Sequence, residues 1–329
     1  MRKLTIAHES WPLATTFTIS RGSKTSAEVV VVAIEEDGRT GHGECVPYPR
    51  YGQTVESVMA EIEALRGEIE SGLDRAALQT RMEAGAARNG IDCALWDLEA
   101  KRSGRPAWAL AGLDGLDAVT TVYTLSLEAP EAMAAAAAKA EAAGRPLLKL
   151  KLGTEGGDAE RVAAVHEAAP TCRLVVDANE GWKADQLPDL FAACASAGVE
   201  LIEQPLPAGD DEALRAIEHP IAVCADEAAH DLSTLDALVG KYDAINIKLD
   251  KTGGLTEALA LADAAQERGL ILMIGCMTST SLSMAPGQII AQRCKVVDLD
   301  GPLLLARDRE NGIRYDGGTM HPAPAALWG

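Results

Sequence analysis

Leu147-Leu148-Lys149-Leu150-Lys151-Leu152 sets two ammonium groups side by side on a short apolar run. Strand side chains alternate between faces, so Lys149 and Lys151 point one way and Leu148, Leu150 and Leu152 the other. Two neighbouring cations repel, and burial would add a desolvation cost. A surface strand could carry both without meaning; the charged strand ends further along the chain argue otherwise.

Short apolar runs recur with helical stretches between them. They are Val119–Thr124, Leu147–Lys151, Leu174–Asp177, Val199–Glu203, Ile221–Asp226, Ala244–Lys248, Leu270–Cys276 and Val296–Asp300. Alanine-rich amphipathic segments such as Pro130–Ala143 and Thr256–Arg268 separate some of them. Eight strands joined by helices imply an α/β chain with a parallel barrel inside a ring of helices. Several runs end in charge: Lys149 and Lys151, Asp177, Glu203, Asp226, Lys248, and the pair Asp298 and Asp300. The steps from Lys151 through Lys248 are 26, 26, 23 and 22 residues. A barrel of about 250 residues has repeats near that length, and its chemistry sits at the C-terminal ends of its strands.

Residues 1–112 read differently. Residues 3–9, 28–36 and 40–44 have strand character, with an Asp37-Gly38 turn before the last. Phe17–Ser26 and Pro47–Gly52 are expected to be loops. Stretches at 54–70, 74–84 and 86–103 have helical periodicity, the last stopping at Gly104 ahead of Pro106. The expected organisation is an α+β unit over 1–112, a barrel over 113–305, and a tail over 306–329 packing back on the first unit.

Lys and Arg total 30 against 49 Asp and Glu, a formal net charge of −19, which argues against nucleic acid or an anionic membrane as partner. The cysteines, an odd number, are scattered without a two-residue gap, which fits reduced thiols better than a disulfide frame or a zinc site. No signal-like apolar core opens the chain and no 18-residue apolar span occurs, so the cytoplasm is the expected location. No glycine-rich phosphate loop of standard spacing supports a nucleotide-binding protein.

Asp177, Glu203 and Asp226 would converge from adjacent strands, and three anions at one point need a cation. Any one of them alone could be a helix cap or a loop acid. Together, oxygen-only ligands select a hard divalent ion, Mg²⁺ before Zn²⁺. Lys151 and Lys248, on the second and sixth strands, flank that cluster from opposite sides. A nearby divalent cation would lower both lysines toward use as bases. Two bases facing one carbon fit removal of a proton from one face and its return to the other. The substrate then needs a carboxylate, because the enediolate formed on α-proton loss calls for positive charge. Asp298 and Asp300 share a strand face and could hold a substrate ammonium, or could be a turn pair beside Gly301-Pro302. Arg21 could meet a second substrate carboxylate, with Lys24 and Arg50 as rivals.

These residues resemble the enolase superfamily, and within its muconate-lactonising group the dipeptide epimerases of the L-Ala-D/L-Glu type. The resemblance runs along nearly the whole chain. It is carried by Ser20–Ser23, Gly43–Gly52, Asn89–Asp97, Leu148–Lys151, Val176–Glu180, Glu203–Leu206, Ala225–Glu227, Asn246–Gly254 and Asp298–Pro302. It implies a modified (β/α)7β TIM-like barrel with an N-terminal α+β capping domain. A lysine base beside Mg²⁺ is recurrent chemistry in that superfamily. The resemblance implies Mg²⁺ on Asp177, Glu203 and Asp226, and Lys151 and Lys248 as the acid/base pair. Lys149 would neutralise the substrate carboxylate, Asp298 and Asp300 would hold the dipeptide ammonium, and Arg21 would meet a glutamate side chain. Thr124 would line the same pocket. The implied activity is epimerisation at the C-terminal residue of a small dipeptide, in the recycling of cell-wall peptides; self-association as a homo-oligomer stays open.

Two alternatives stand beside it. An o-succinylbenzoate synthase or cycloisomerase of the same superfamily would share lysines and acids but has no substrate ammonium for Asp298 and Asp300. A non-catalytic metal-binding barrel need not keep both Lys151 and Lys248.

Overall fold

The computed structural model describes residues 2–154 and 156–329. The first three strands, β1 (Lys3–Ile19), β2 (Gly22–Glu36) and β3 (Arg39–Cys45), form an antiparallel sheet. Phe17–Ser26, expected as a loop, instead continues the β1–β2 hairpin: Phe17 pairs with Lys24, Thr18 with Ser23 and Ile19 with Gly22. Its polar, small residues form a partly buried end of the hairpin that faces a cavity, so no packed apolar face enforces a hydrophobic alternation. The turn needs Gly22, whose φ is 137°.

Helices α1 (Val55–Ala64), α2 (Arg66–Glu70), α3 (Arg75–Arg81) and α4 (Ala86–Ser103) cover this sheet, so the helical stretch expected over 54–70 divides at Leu65. Helix α4 is buried along most of its length. It lies so close to β3 that a Cβ on Gly43 would fall 2.1 Å from the Gly90 carbonyl. Gly43 therefore sets the spacing that lets Val32, Ile34 and Cys45 pack against Ile91 and Ala94.

A short strand, β4 (Val119–Thr120), precedes the barrel. The barrel strands are β5 (Tyr123–Leu125), β6 (Leu147–Lys151), β7 (Arg173–Asp177), β8 (Val199–Glu203), β9 (Ala222–Ala225), β10 (Ala244–Ile247), β11 (Ile271–Ile274) and β12 (Val296–Val297). They lie side by side in chain order, and every pair is parallel. The Val122 amide donates to the Val297 carbonyl at 2.9 Å, joining the first edge to the last.

The period of two explains the interior. Val122, Leu147, Val175, Leu201, Cys224, Ala244, Met273 and Val296 form one buried apolar cluster, one residue from each strand or its threshold. That layer plugs the barrel. Two residues further on, the same face presents Thr124, Lys149, Asp177, Glu203, Asp226, Asn246, Gly275 and Asp298. Two further still come Lys151, Lys248 and Asp300. The alternate residues, among them Leu148, Leu150, Val176, Ile202, Val223 and Ile245, join the larger core with the surrounding helices.

The chain's end returns to the N-terminal half. Strands β13 (Tyr315–Asp316) and β14 (Thr319–Met320) pair with each other and add to β4. The Trp328 indole donates to the Cys93 carbonyl and the Gly329 amide to Asp97. Arg309 reaches the buried Glu44 at 2.7 Å and Glu9 at 2.6 Å. Among the described residues no helix is long and apolar enough to cross a membrane.

Candidate active site

The polar layers open into a cavity of about 520 Å³ at the C-terminal mouth of the barrel. Its floor carries Thr124, Lys149, Lys151, Asp226, Lys248, Asp298 and Asp300. Phe17, Ile19, Arg21, Lys24, Tyr48 and Tyr51 roof it from the N-terminal cap. Strand register brings Lys151 opposite Asp177, and Asp177 opposite Glu203. Asp226 follows β9 by one residue, and Lys248 follows β10 in the same way.

Asp177, Glu203 and Asp226 each offer an oxygen within 4.8 Å of the other two, and all three are buried. Ammonium groups surround them. Lys149 lies 2.6 Å from Glu203, 2.6 Å from Asp298 and 3.2 Å from Asp177. Lys151 lies 2.5 Å from Asp177 and Lys248 2.6 Å from Asp226. The two lysines therefore approach the acid cluster through different members of it. Gly275 makes room for the second: a Cβ there would fall 2.9 Å from Lys248 Cε and 2.5 Å from Asn246 Oδ1.

The cluster fits a hard divalent cation. Its donors are all carboxylate oxygens, which Mg²⁺ favours. Glu203 Oε2 is buried and accepts no aligned hydrogen bond, although the Lys149 ammonium lies close by. Burial and the Asp177 charge push the Glu203 carboxyl up to about 8. Burial also works against the charged forms of Asp177 and Asp226. Lys151 and Lys149 outweigh it at Asp177, holding that acid at about 2, and Lys248 and Lys251 hold Asp226 well below its ordinary range. Burial pulls Lys248 down as well, but Asp226 and Glu203 outweigh it and raise it.

Asp298 and Asp300 sit at the side of the cavity. Asp298 faces Lys149, while Asp300 accepts from the Thr124 amide at 2.7 Å. Burial and Asp298 raise the Asp300 carboxyl to about 7. Thr124 thus holds Asp300 through its backbone, and it lines the cavity.

Arg21 lines the cavity, but not as a free cation. Its guanidinium is already engaged, with Glu227 at 2.8 Å, Glu180 at 3.3 Å, the Asn179 carbonyl at 3.0 Å and the Tyr48 hydroxyl at 3.2 Å. Arg50 is likewise committed to Glu180, through two bonds of 2.9 and 2.8 Å. Both arginines fasten cap to barrel instead of presenting a free cation. The Lys24 ammonium has no ion pair or hydrogen bond among the described residues and lines the cavity 5.9 Å from the centre of the Phe17 ring. Burial brings its ammonium down to about 8; Cys276 pulls the other way, and Lys151 and Lys248 each add a smaller downward push.

Several residues at the site carry no signal of their role in the sequence. Gln204 accepts from the Asp226 and Ala228 amides and donates to the Tyr242 hydroxyl, which fixes the loop bearing Asp226. Asn246 donates to Glu203 at 2.8 Å. Asn179, Glu180 and Gln204 have φ of 45°, 68° and 35°, a left-handed backbone that costs about 1–2 kcal/mol per non-glycine residue. The chain turns that sharply just after two of the acids.

Residues 132–323 match the family described as enolase C-terminal domain-like, and residues 1–112 match the mandelate racemase / muconate lactonizing enzyme N-terminal domain. The protein belongs to this enolase-like family. It is 46% identical over 321 residues to an L-Ala-D/L-Glu epimerase of Escherichia coli K12, covering 98% of this chain and 100% of that one. It is 41% identical to an N-acetyl-D-glutamate racemase of a Pseudoalteromonas species, covering 92% and 95%. Among solved structures, an enolase family member of Agrobacterium tumefaciens with homology to dipeptide epimerases holds sodium and L-Ala-L-Glu with an ordered loop. It superposes with a TM-score of 0.98 at 50% identity over 100% of both chains. A dipeptide epimerase of Enterococcus faecalis V583 complexed with Mg and L-Leu-L-Tyr has a TM-score of 0.91 at 30% identity, covering 97% and 96%.

Proposed function

We propose that this protein is a Mg²⁺-dependent dipeptide epimerase that inverts the α-carbon of the C-terminal residue, with L-Ala-D/L-Glu as its substrate pair. The observation that carries the proposal is the disposition of Lys151 and Lys248. They reach one acid cluster from β6 and from the end of β10, through Asp177 and Asp226 respectively. Proton transfer at one carbon from two faces needs two bases so opposed.

Asp177, Glu203 and Asp226 hold Mg²⁺ in this reading, and the ion supplies positive charge for the substrate carboxylate as the α-proton leaves. Lys149 adds charge of the same sign beside it. Lys151 takes or returns the proton on one face and Lys248 on the other. Asp298 and Asp300 receive the dipeptide's α-ammonium by charge-assisted hydrogen bonds. Lys24 takes the glutamate side-chain carboxylate, the role that Arg21 cannot fill while bound to Glu227 and Glu180. Arg21 and Arg50 keep the cap seated, which excludes water from the reacting centre.

The N-acetylglutamate racemase relative makes a blocked amino acid the second reading. Asp298 and Asp300 weigh against it, because an acylated nitrogen cannot give either of them the charge-assisted hydrogen bond of an ammonium. The same point weighs against a synthase or cycloisomerase, and the pairing of both lysines with the acid cluster weighs against a non-catalytic metal-binding barrel. Free thiols at all seven cysteines support a cytoplasmic location, and the substrate pair supports a role in cell-wall peptide recycling. Incubation with Mg²⁺ and either L-Ala-L-Glu or N-acetyl-D-glutamate, with chiral chromatography of the products, tests the assignment. Inversion of the dipeptide at the higher kcat/KM supports it, and preference for the acylated amino acid overturns it.

A further inference from the structure

Lys251 lies three residues beyond Lys248, and its side chain is fully buried. Its ammonium donates to Asp226 Oδ1 at 2.6 Å, to the Asn246 carbonyl at 3.0 Å, and to the Asp226 carbonyl. Three donors meet three acceptors, so Lys251 has no proton left for substrate and no freedom to move. The other oxygen of the same carboxylate, Oδ2, lies 2.6 Å from Lys248. The Asp226 amide is held in turn by Gln204 at 2.8 Å.

A carboxylate has two oxygens, and Asp226 has three claimants: Lys251, Lys248 and the cation of the proposed site. We propose that Lys251 is a positioning residue that occupies Asp226 Oδ1, leaving Oδ2 as the one oxygen that Lys248 and a cation at the site would have to share. Lys248 would be displaced from Asp226 when the site holds its cation, leaving its ammonium available for proton transfer. Without Lys251, Oδ1 would be open to Lys248, which would stay tethered to Asp226 when the site holds its cation. Lys151 is paired with Asp177 and has no such dependence on Lys251. The effect therefore falls on one face of the substrate only. The inference rests on the metal and lysine roles proposed above.

The test uses Lys251→Met, close to lysine in shape but without charge, with Lys251→Gln as a second variant should the first not fold. Crystal structures of the Mg²⁺-loaded wild type and variant give the Lys248–Asp226 distance. Deuterium uptake at the α-carbon is measured from each epimer separately, with Lys151→Ala and Lys248→Ala marking which face each lysine serves. The expected result is Lys248 clear of Asp226 in the wild type and hydrogen-bonded to it in the variant. Exchange on the Lys248 face falls about 10²-fold, the worth of a positioned acid or base, while the Lys151 face continues. Lys248 clear of Asp226 in the variant, or equal loss on both faces, would overturn the proposal. If Mg²⁺ does not bind at Asp226 in the wild type, the metal assignment fails and this inference fails with it.

Discussion

Arg21 Nη2 lies 2.8 Å from Glu227 Oε1, joining the tip of the first cap hairpin to the residue next after Asp226. That pair engages Arg21 at the cavity wall and leaves Lys24 as the cap-borne cation whose ammonium has no ion pair there among the described residues. Substitution of Lys24 by Met is predicted to raise KM for L-Ala-L-Glu about tenfold to a hundredfold, the worth of one charge-assisted hydrogen bond. KM for a dipeptide with an apolar second residue should change little. Equal losses on both substrates would place Lys24 outside substrate recognition.

The same lysine predicts a pH effect. Its ammonium titrates at about 8 against an ordinary value of 10.5. It is charged below about 8 and neutral above, so attraction for a side-chain carboxylate declines as pH rises through that value. KM for L-Ala-L-Glu should climb from about pH 8 to about pH 9.5 in the wild type and stay flat in Lys24→Met over the same range.

Lys151→Ala and Lys248→Ala should each reduce epimerisation in both directions by about 10³-fold or more, because each direction uses both lysines in turn. Each variant should still exchange the α-proton of one epimer, and the two should differ in which epimer that is. Near-normal turnover in either variant would remove that lysine from the chemistry.

Asp177→Asn removes one of three charges from the acid cluster. Mg²⁺ affinity measured by calorimetry should fall by more than about a hundredfold, since changes merely adjacent to a metal site cost about 10–100-fold. An unchanged affinity would move the cation elsewhere.

Asp250 ties cap to barrel. Its Oδ1 accepts from the Val46 amide at 2.9 Å and from Asn89 at 2.8 Å, and burial raises its carboxyl from 3.8 to about 7. A carboxyl raised on folding contributes stability that is full below its unfolded value and lost as pH rises through its folded one. Asp250→Asn keeps the accepting oxygen and cannot ionise. The stability of wild type relative to this variant should therefore fall between about pH 4 and about pH 7, by about 1.4 kcal/mol per unit, and level off above. Urea titrations at several pH values read the difference directly, and a constant gap across that window would contradict it.

Much of the barrel and its acid cluster was legible in the sequence because both arise from a period of two and a repeat of 22 to 26 residues. Lys149, Lys151, Asp177, Glu203 and Asp226 are all read from position on a strand. Arg21 was not legible in this way. Its partners, Glu180 and Glu227, lie more than about 150 residues away, on loops whose approach depends on the left-handed turns at Asn179 and Glu180. Lys251 was hidden for a related reason: its acceptors belong to Asp226 and Asn246, and nothing in Lys248-Leu249-Asp250-Lys251 tells a clamped lysine from a solvated one. The long β1–β2 hairpin escaped because its end faces a cavity and has no packed apolar face to impose alternation.

The most direct measurement is a proton NMR time course of L-Ala-L-Glu in D₂O with the protein and Mg²⁺. Loss of the glutamate α-proton signal together with the appearance of L-Ala-D-Glu is the predicted result, with no change when Mg²⁺ is withheld by a chelator. Retention of the α-proton with this dipeptide and with a wider set of dipeptides would contradict the assignment.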